Sequence, residues 1–292
     1  EALSACLVGA GFVETVTHSL ISEAHATPFL PSGGGLMQVD ASKGLGEPVL
    51  RPSIIPSLLR VRRHNADRGV DALQLFEMGS TFVHLDGRDQ EHLELGLLMD
   101  LQDADQGVRP MRGVIDRIAE VLAGPDACVD VTAESSASWL SDAGTITING
   151  AHIGDMGLVA PATAKASRLD EGRWLAAALR PTPWIVAEIT ERQAHRLPDL
   201  PAMERDLSAI ATEDVSWRTM SMIVHSLHLQ WLEAVDYVTV WRGKGVPTGH
   251  KSVTMRLRFR DAQRTLTRED VEPLMQQTIK ALQSEVQAEI RS

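Results

Sequence analysis

In the segment from Ser252 to Arg260, Val253, Met255, Leu257 and Phe259 alternate with Thr254, Arg256, Arg258 and Arg260. Successive side chains of an extended strand point to opposite faces, so the three guanidiniums line one face at a spacing of about 7 Å and the apolar set lines the other. Guanidiniums in a row suit phosphate contact and stacking against unpaired bases. The same row fits a solvated outer face whose arginines pair with Asp or Glu, and the pattern alone does not decide between the two.

Other candidate chemistry is weaker. Gly243 to Ser252 reads GKGVPTGHKS, which invites comparison with the phosphate-binding loop GxxxxGK[ST]. The match fails because His250 separates Gly249 from Lys251, and because a strand follows where phosphate capture needs a helix N-terminus. Hairpin residues with positive φ explain these glycines better. His225 and His228 share a helix face, but neither an HExxH motif nor a cysteine accompanies them, so no metal site is expected. Cys6 and Cys128 form no CxxC pair and read as reduced, buried thiols. No GxSxG elbow licenses nucleophilic catalysis. Trp217, Trp231 and Trp241 suit either base stacking or core and rim packing.

The elements that position the arginine row follow a clear order. Arg205–Ala211 reads as a strand, Ser216–Leu227 as a helix N-capped by Ser216, and Val235–Trp241 as a strand. A Gly/Pro turn leads into the arginine strand. Thr267 and Asp270 then make a capping-box spacing before a helix with Val271, Met275, Leu282 and Val286 on one face, and Ala288–Arg291 closes as a short strand. This βαββαβ order is ferredoxin-like, with both helices on one side of the sheet, so the arginine face is open.

Upstream, Ala2, Leu3, Ala5 and Cys6 have helical spacing, and Phe12 to Leu20 reads as a strand after Gly9 and Gly11. Pro52 and Pro56 open a helix whose Ile54, Ile55, Leu58 and Leu59 form a stripe, with Arg60, Arg62 and Arg63 facing elsewhere. Leu73 to Val83, His92 to Asp100 and Trp184 to Thr190 read as strands, and Met111 to Leu122 as a helix. Asn149-Gly150 predicts a type I′ hairpin. Glu191 to Met203, with Pro198 and Pro201, reads as a linker.

A chain of 292 residues at about 150 per domain suggests two domains, and 43% hydrophobic with 23% charged residues is an ordinary globular composition. The net charge of −11 is uneven: 12 Lys and Arg stand against 13 Asp and Glu from Asp199 onward, and 16 against 26 before it. A polyanion would therefore meet the last third, through a local stripe rather than a general field. No apolar run reaches the roughly 18 residues of a membrane span, and no signal-peptide pattern is present, so the expectation is cytoplasmic. The chain opens at Glu1 inside a helical segment, which suggests a longer parent protein.

Two stretches carry a resemblance. LRPSIIPSLLRVRRHNADRGVDALQLFEMGSTF, Leu50 to Phe82, together with LVGAGFVETVTHSLIS near the start, is similar to the synthetase-like core of bacterial-type phenylalanyl-tRNA synthetase β subunits. PAMERDLSAIATEDVSW and VTVWRGKGVPTGHKSVTMRLRFRDAQRTLTREDV resemble the same subunit's ferredoxin-fold anticodon-binding domain. The resemblance implies an α+β chain: a class II synthetase-like antiparallel sheet domain over 1–190, a linker over 191–200, and the anticodon-binding domain over 201–292.

Within the family, Arg205 falls in the "RDL" motif, Arg242 in "YRG", Lys251 in "GKKS" and Arg264 in "RTLT". With the row Arg256, Arg258 and Arg260, these are the candidate tRNA contacts. Trp241 replaces the usual tyrosine and His250 a frequent lysine. Active class II sites hold ATP with an arginine after the FEIG-like strand and another in a GxGxxxR motif. Here Phe76-Glu77-Met78-Gly79 is followed by Ser80 to His84 without arginine, and no GxGxxxR occurs, so the domain is expected not to aminoacylate.

The implied partners are tRNA(Phe) and the catalytic α subunit of an (αβ)₂ assembly, with no DNA and no membrane. The chain itself is expected to hold no cofactor, while ATP and magnesium are implied for the holoenzyme. Upstream editing and oligonucleotide-binding domains of the family have no counterpart here. The alternative is a free-standing scaffold or regulatory paralogue that binds protein only.

Overall fold

A computed structural model describes residues 1–40, 46–103, 106–125, 127–169, 172–186 and 198–291. The chain forms two compact units, Glu1–Arg192 and Gln193–Ser292. Among the described residues no helix is long and apolar enough to cross a membrane.

The first unit opens with α1 (Ala2–Gly9), which buries Leu3 and Leu7, and Gly11 at φ 93° reverses the chain so that Phe12 enters the core. The strand expected over Phe12 to Leu20 is two separate pieces. Of these, β1 (Val13–Glu14) is an edge of the large sheet and β2 (Leu20–Ile21) belongs to a small one. Between them the chain is drawn off the ladder by a carboxylate: Thr17 Oγ1 donates to Glu77 Oε2 at 2.7 Å, and the Thr17 amide donates to its other oxygen.

A short helix, α2 (Glu23–Ala26), precedes β3 (Met37–Gln38) and β4 (Val49–Leu50), which pair with β2 in the order β2-β4-β3. Helix α3 (Ile55–Ala66) has Pro56 in its first turn, where a missing amide donor costs nothing. A long hairpin follows, β5 (Gln74–Leu85) and β6 (Arg88–Asp100), and then α4 (Arg109–Ala123). The unit continues through β7 (Val129–Thr132), β8 (Leu140–Ile148), β9 (Ala151–Val159), α5 (Pro161–Ala166) and β10 (Trp174–Leu179), to α6 (Thr182–Val186).

The seven-stranded sheet has the order β1-β5-β6-β10-β9-β8-β7, antiparallel throughout except where β1 joins β5. Helices α1 and α4 pack Leu7, Ile115 and Ile118 on one face, against Phe76, Leu95, Leu97 and Leu175. On the other face α3 sets Ile54, Ile55, Leu58 and Leu59 on Leu75, Leu98 and Ala176. Each fully buried side chain of this size contributes about 1.5–3 kcal/mol. The approach of α3 is close: a Cβ at Gly96 would lie 2.8 Å from Ile54.

Three readings of the sequence change here. Cys128, expected to be a buried thiol, is exposed. Arg62, expected to face away from the core with Arg60 and Arg63, is buried, and its guanidinium holds Asp100 at 2.9 Å. Trp184, expected in a strand, lies in α6, whose second residue is Pro183; residues 187–190 of that expected strand fall outside the described residues. Most of the expected linker, 191–197, does so too. The alanine-rich β10 gave no strand signal because it is covered on both faces and needs no alternation. The Asn149-Gly150 hairpin is present, with φ 51° and 79°.

The second unit is βαββαβ: β11 (Met203–Thr212), α7 (Trp217–Ser226), β12 (Leu232–Trp241), β13 (His250–Phe259), α8 (Arg268–Val286) and β14 (Glu289–Arg291). Its sheet has the order β12-β13-β11-β14 with every pair antiparallel. Ser216 Oγ accepts from the Thr219 amide at the start of α7, and Thr267 and Asp270 close a capping box on α8. Val253, Met255, Leu257 and Phe259 are buried against Met220 and Val224 of α7 and Val271, Met275 and Leu282 of α8. Both helices therefore cover one face. The edge strand β12 is irregular, carrying extra residues at Glu233 and Val238 that have no opposite number on β13.

Candidate nucleic-acid interface

Residues directly opposite one another in an antiparallel pair share a face. Arg256 stands opposite Asp206 on one side and Asp236 on the other, and Arg258 stands opposite Glu204. The helix-free face therefore interleaves guanidiniums with carboxylates.

Arg256 Nε and Nη2 donate to the two oxygens of Asp206 at 2.7 and 2.9 Å, and its Nη1 lies 3.4 Å from Glu204. Arg258 lies 3.3 Å from both Glu204 and Asp236. Arg260 holds Glu233 at 2.7 Å and donates to the Leu200 carbonyl. The three side chains are 40%, 35% and 22% exposed, so the pairs sit in water. The hydrogen bond between Arg256 and Asp206 raises the arginine above its ordinary pKa and holds the carboxyl below its own.

Others of the candidates are paired as well. Arg242 forks onto Glu213 at 2.7 and 2.8 Å, and Lys251 Nζ donates to the Glu213 carbonyl at 2.7 Å. Hydrogen bonding to Arg242 keeps the Glu213 carboxyl below its usual range. Arg264 pairs with Asp270 at 2.7 Å and stacks 5.4 Å above the ring centre of Trp231. Its hydrogen bonds, with those from Thr267, hold Asp270 far down. Arg205 and Lys251 do not join the row: they lie opposite Leu257 and Ala211, so strand parity puts both on the helix-bearing face.

Of the tryptophans, Trp217 and Trp231 pack at the margin of the core, Trp217 edge-on to Tyr237. Trp241 lies opposite Ser252 on the open face and is 54% exposed. Gly243, Gly245 and Gly249 all have positive φ in the turn before β13, as hairpin glycines do. At Gly243, φ 142°, a side chain would also meet the Trp241 ring.

The sequence reading missed the anionic half of this surface, Glu204, Asp206 as a partner, Glu213, Glu233 and Asp236. One signal was available: Glu204 and Asp206 recur at the same period of two as the arginines.

Phe76 to Gly79 lie inside β5, which runs on through Ser80 to Leu85 without an arginine. Glu77 is buried and neutralised by Arg51 at 2.7 Å. Glu94 is buried as well, accepting from Ser53 Oγ and the Ile54 amide, both at 2.7 Å; burial pushes its carboxyl up.

A family described as the phenylalanyl tRNA synthetase beta chain CLM domain matches residues 1–179, and the ferredoxin-fold anticodon binding domain matches 198–291. The chain belongs to the phenylalanyl-tRNA synthetase β-chain family. Among its relatives, the phenylalanine–tRNA ligase beta subunit of Symbiobacterium thermophilum is 28% identical over 98% of this chain and 33% of the relative. That of Geobacillus kaustophilus is 26% identical over 98% of this chain and 37% of the relative. The chain thus spans about a third of the length of the curated family members it matches. A solved pyrrolysyl-tRNA synthetase from Desulfitobacterium hafniense superposes with a TM-score of 0.52 at 15% identity, over 63% of this chain and 65% of that one. The shared feature is the fold, a class II synthetase-like antiparallel sheet, with a ferredoxin-like domain added here.

Proposed function

We propose that this chain is the non-catalytic, C-terminal portion of a β subunit that binds tRNA(Phe) and packs against a catalytic α subunit in an (αβ)₂ phenylalanine–tRNA ligase of the cytoplasm. The observation that carries the reading is the helix-free sheet face of the second unit, with Arg256 and Arg258 at its centre, Arg260 at one end, and Arg242 and the exposed Trp241 at the other. Guanidiniums fork onto phosphates, and an exposed indole stacks on an unpaired base. The anticodon-binding relationship of residues 198–291 supports the same assignment. Chemistry belongs to the α subunit in this reading, together with ATP and magnesium. The first unit supports this division: helices cover both faces of its sheet, and no arginine follows the FEMG segment within β5.

Two measurements test the proposal. The chain is expected to co-elute with the α subunit and to bind phenylalanine tRNA. Reversing Arg256 and Arg258 to glutamate should weaken that binding, lowering the slope of log affinity against log salt by about 1 for each lost phosphate contact. Unchanged binding would remove the sheet face from the interface. Failure to capture any α subunit would favour the protein-only scaffold reading, to which the paired state of these arginines lends some support.

A further inference from the structure

The centre of the open face is not an unopposed cationic patch. Three carboxylates, Glu204, Asp206 and Asp236, surround the two guanidiniums of Arg256 and Arg258, all on one face and all within 3.4 Å of a partner. At longer range this centre carries no excess of positive charge, so it offers little attraction to a polyanion. At short range its pairs are exchangeable, because exposed ion pairs are weak and a guanidinium forks onto phosphate as well as onto carboxylate.

We propose that Glu204, Asp206 and Asp236 are selectivity residues for RNA, which hold Arg256 and Arg258 in internal pairs that only a correctly registered backbone displaces. This rests on the reading above that the face meets RNA. A strand whose phosphates fall over the guanidiniums replaces each carboxylate, and the released carboxylates accept hydrogen bonds from ribose 2′-hydroxyls or base amino groups. A strand out of register sets its phosphates against three carboxylates well inside a Debye length and is repelled. The arrangement gives up affinity for every nucleic acid and gains discrimination between them.

The test compares three forms of the full chain: wild type, the amide triple variant E204Q/D206N/D236N, and R256Q/R258Q. Each is titrated with a phenylalanine tRNA transcript and with poly(U) across a salt series. The triple variant should bind poly(U) about tenfold more tightly with a salt slope steeper by about 1–2, while tRNA affinity rises less, so the tRNA-to-poly(U) ratio falls. Asp206→Asn alone, a milder change against misfolding of the triple, should shift the ratio the same way by about two- to threefold. If R256Q/R258Q weakens tRNA binding but the carboxylate variants leave the ratio and slope unchanged, the selectivity role is wrong while the interface stands. If R256Q/R258Q binds tRNA as wild type does, both fall.

Discussion

Two arginine–carboxylate pairs of the first unit and the pairs of the second serve opposite purposes. In the first, Arg51–Glu77 and Arg62–Asp100 are buried, and each is tied into further hydrogen bonds: Arg51 to Thr17 and the Ser80 carbonyl, Asp100 to the Trp174 indole. In the second, Arg256–Asp206, Arg242–Glu213 and Arg264–Asp270 are two-pronged pairs that stand in water. A buried pair cannot open without stranding a charge, so it fixes the fold; an exposed pair opens cheaply, so it remains free to trade partners. The chemistry is the same, and burial decides what it does.

The sharpest way to break this contrast is Arg51→Met. It strands the buried Glu77 of β5 without its counter-charge and should cost about 3–5 kcal/mol, read as a large drop in the denaturant midpoint of the first unit. A loss under about 1 kcal/mol would mean that water reaches Glu77 and that the pair is no different from those of the second unit.

Thr267→Ala probes the exposed unit where a carboxylate serves the backbone as well as a guanidinium. The Thr267 amide and hydroxyl both donate to Asp270 at 2.8 Å. Removing the hydroxyl should cost about 1 kcal/mol, more than opening any ion pair on the sheet face.

Acid titration separates the units by sign. Glu94 has a folded pKa above its unfolded one, so its contribution is fully present below the unfolded value and is lost as pH rises through the folded value. Asp206 and Asp270 have depressed folded values, so their contributions are present above the unfolded value and are lost as pH falls through the folded one. Glu94→Gln should therefore gain on wild type as pH rises from 4 to 8, in paired thermal melts. A constant offset would place Glu94 in solvent. The smallest effect is expected from Asp206→Asn, which should leave stability almost unchanged at any salt concentration while altering nucleic-acid binding.

The second unit was far more legible in the sequence than the first. Its strands alternate with period two, Ser216 and Thr267 mark helix starts, and the glycine turn announces its hairpin, so local rules agree with the fold at every step. What stayed hidden was non-local. Arg256 and Asp206 are 50 residues apart, and only strand register brings them together. Register likewise decides that Arg205, flanked by Glu204 and Asp206, belongs to the opposite face. In the first unit the core helix α3 and much of strands β5 and β6 were readable, but Phe12 to Leu20 is divided between two sheets by threonine hydrogen bonds to Glu77, a residue about 60 positions away. Local periodicity carries no trace of that.

The unmatched residue at Val238 bears on how copies of the molecule behave together. Strand β12 borders the sheet, and a straight border of free amides and carbonyls is a template on which a neighbouring chain could extend the ladder into an aggregate. The kink interrupts that template midway, beside exposed Tyr237 and Val238, side chains that would otherwise invite such stacking. Deleting Val238 would straighten the border, and self-association at high concentration is the hazard that its presence opposes.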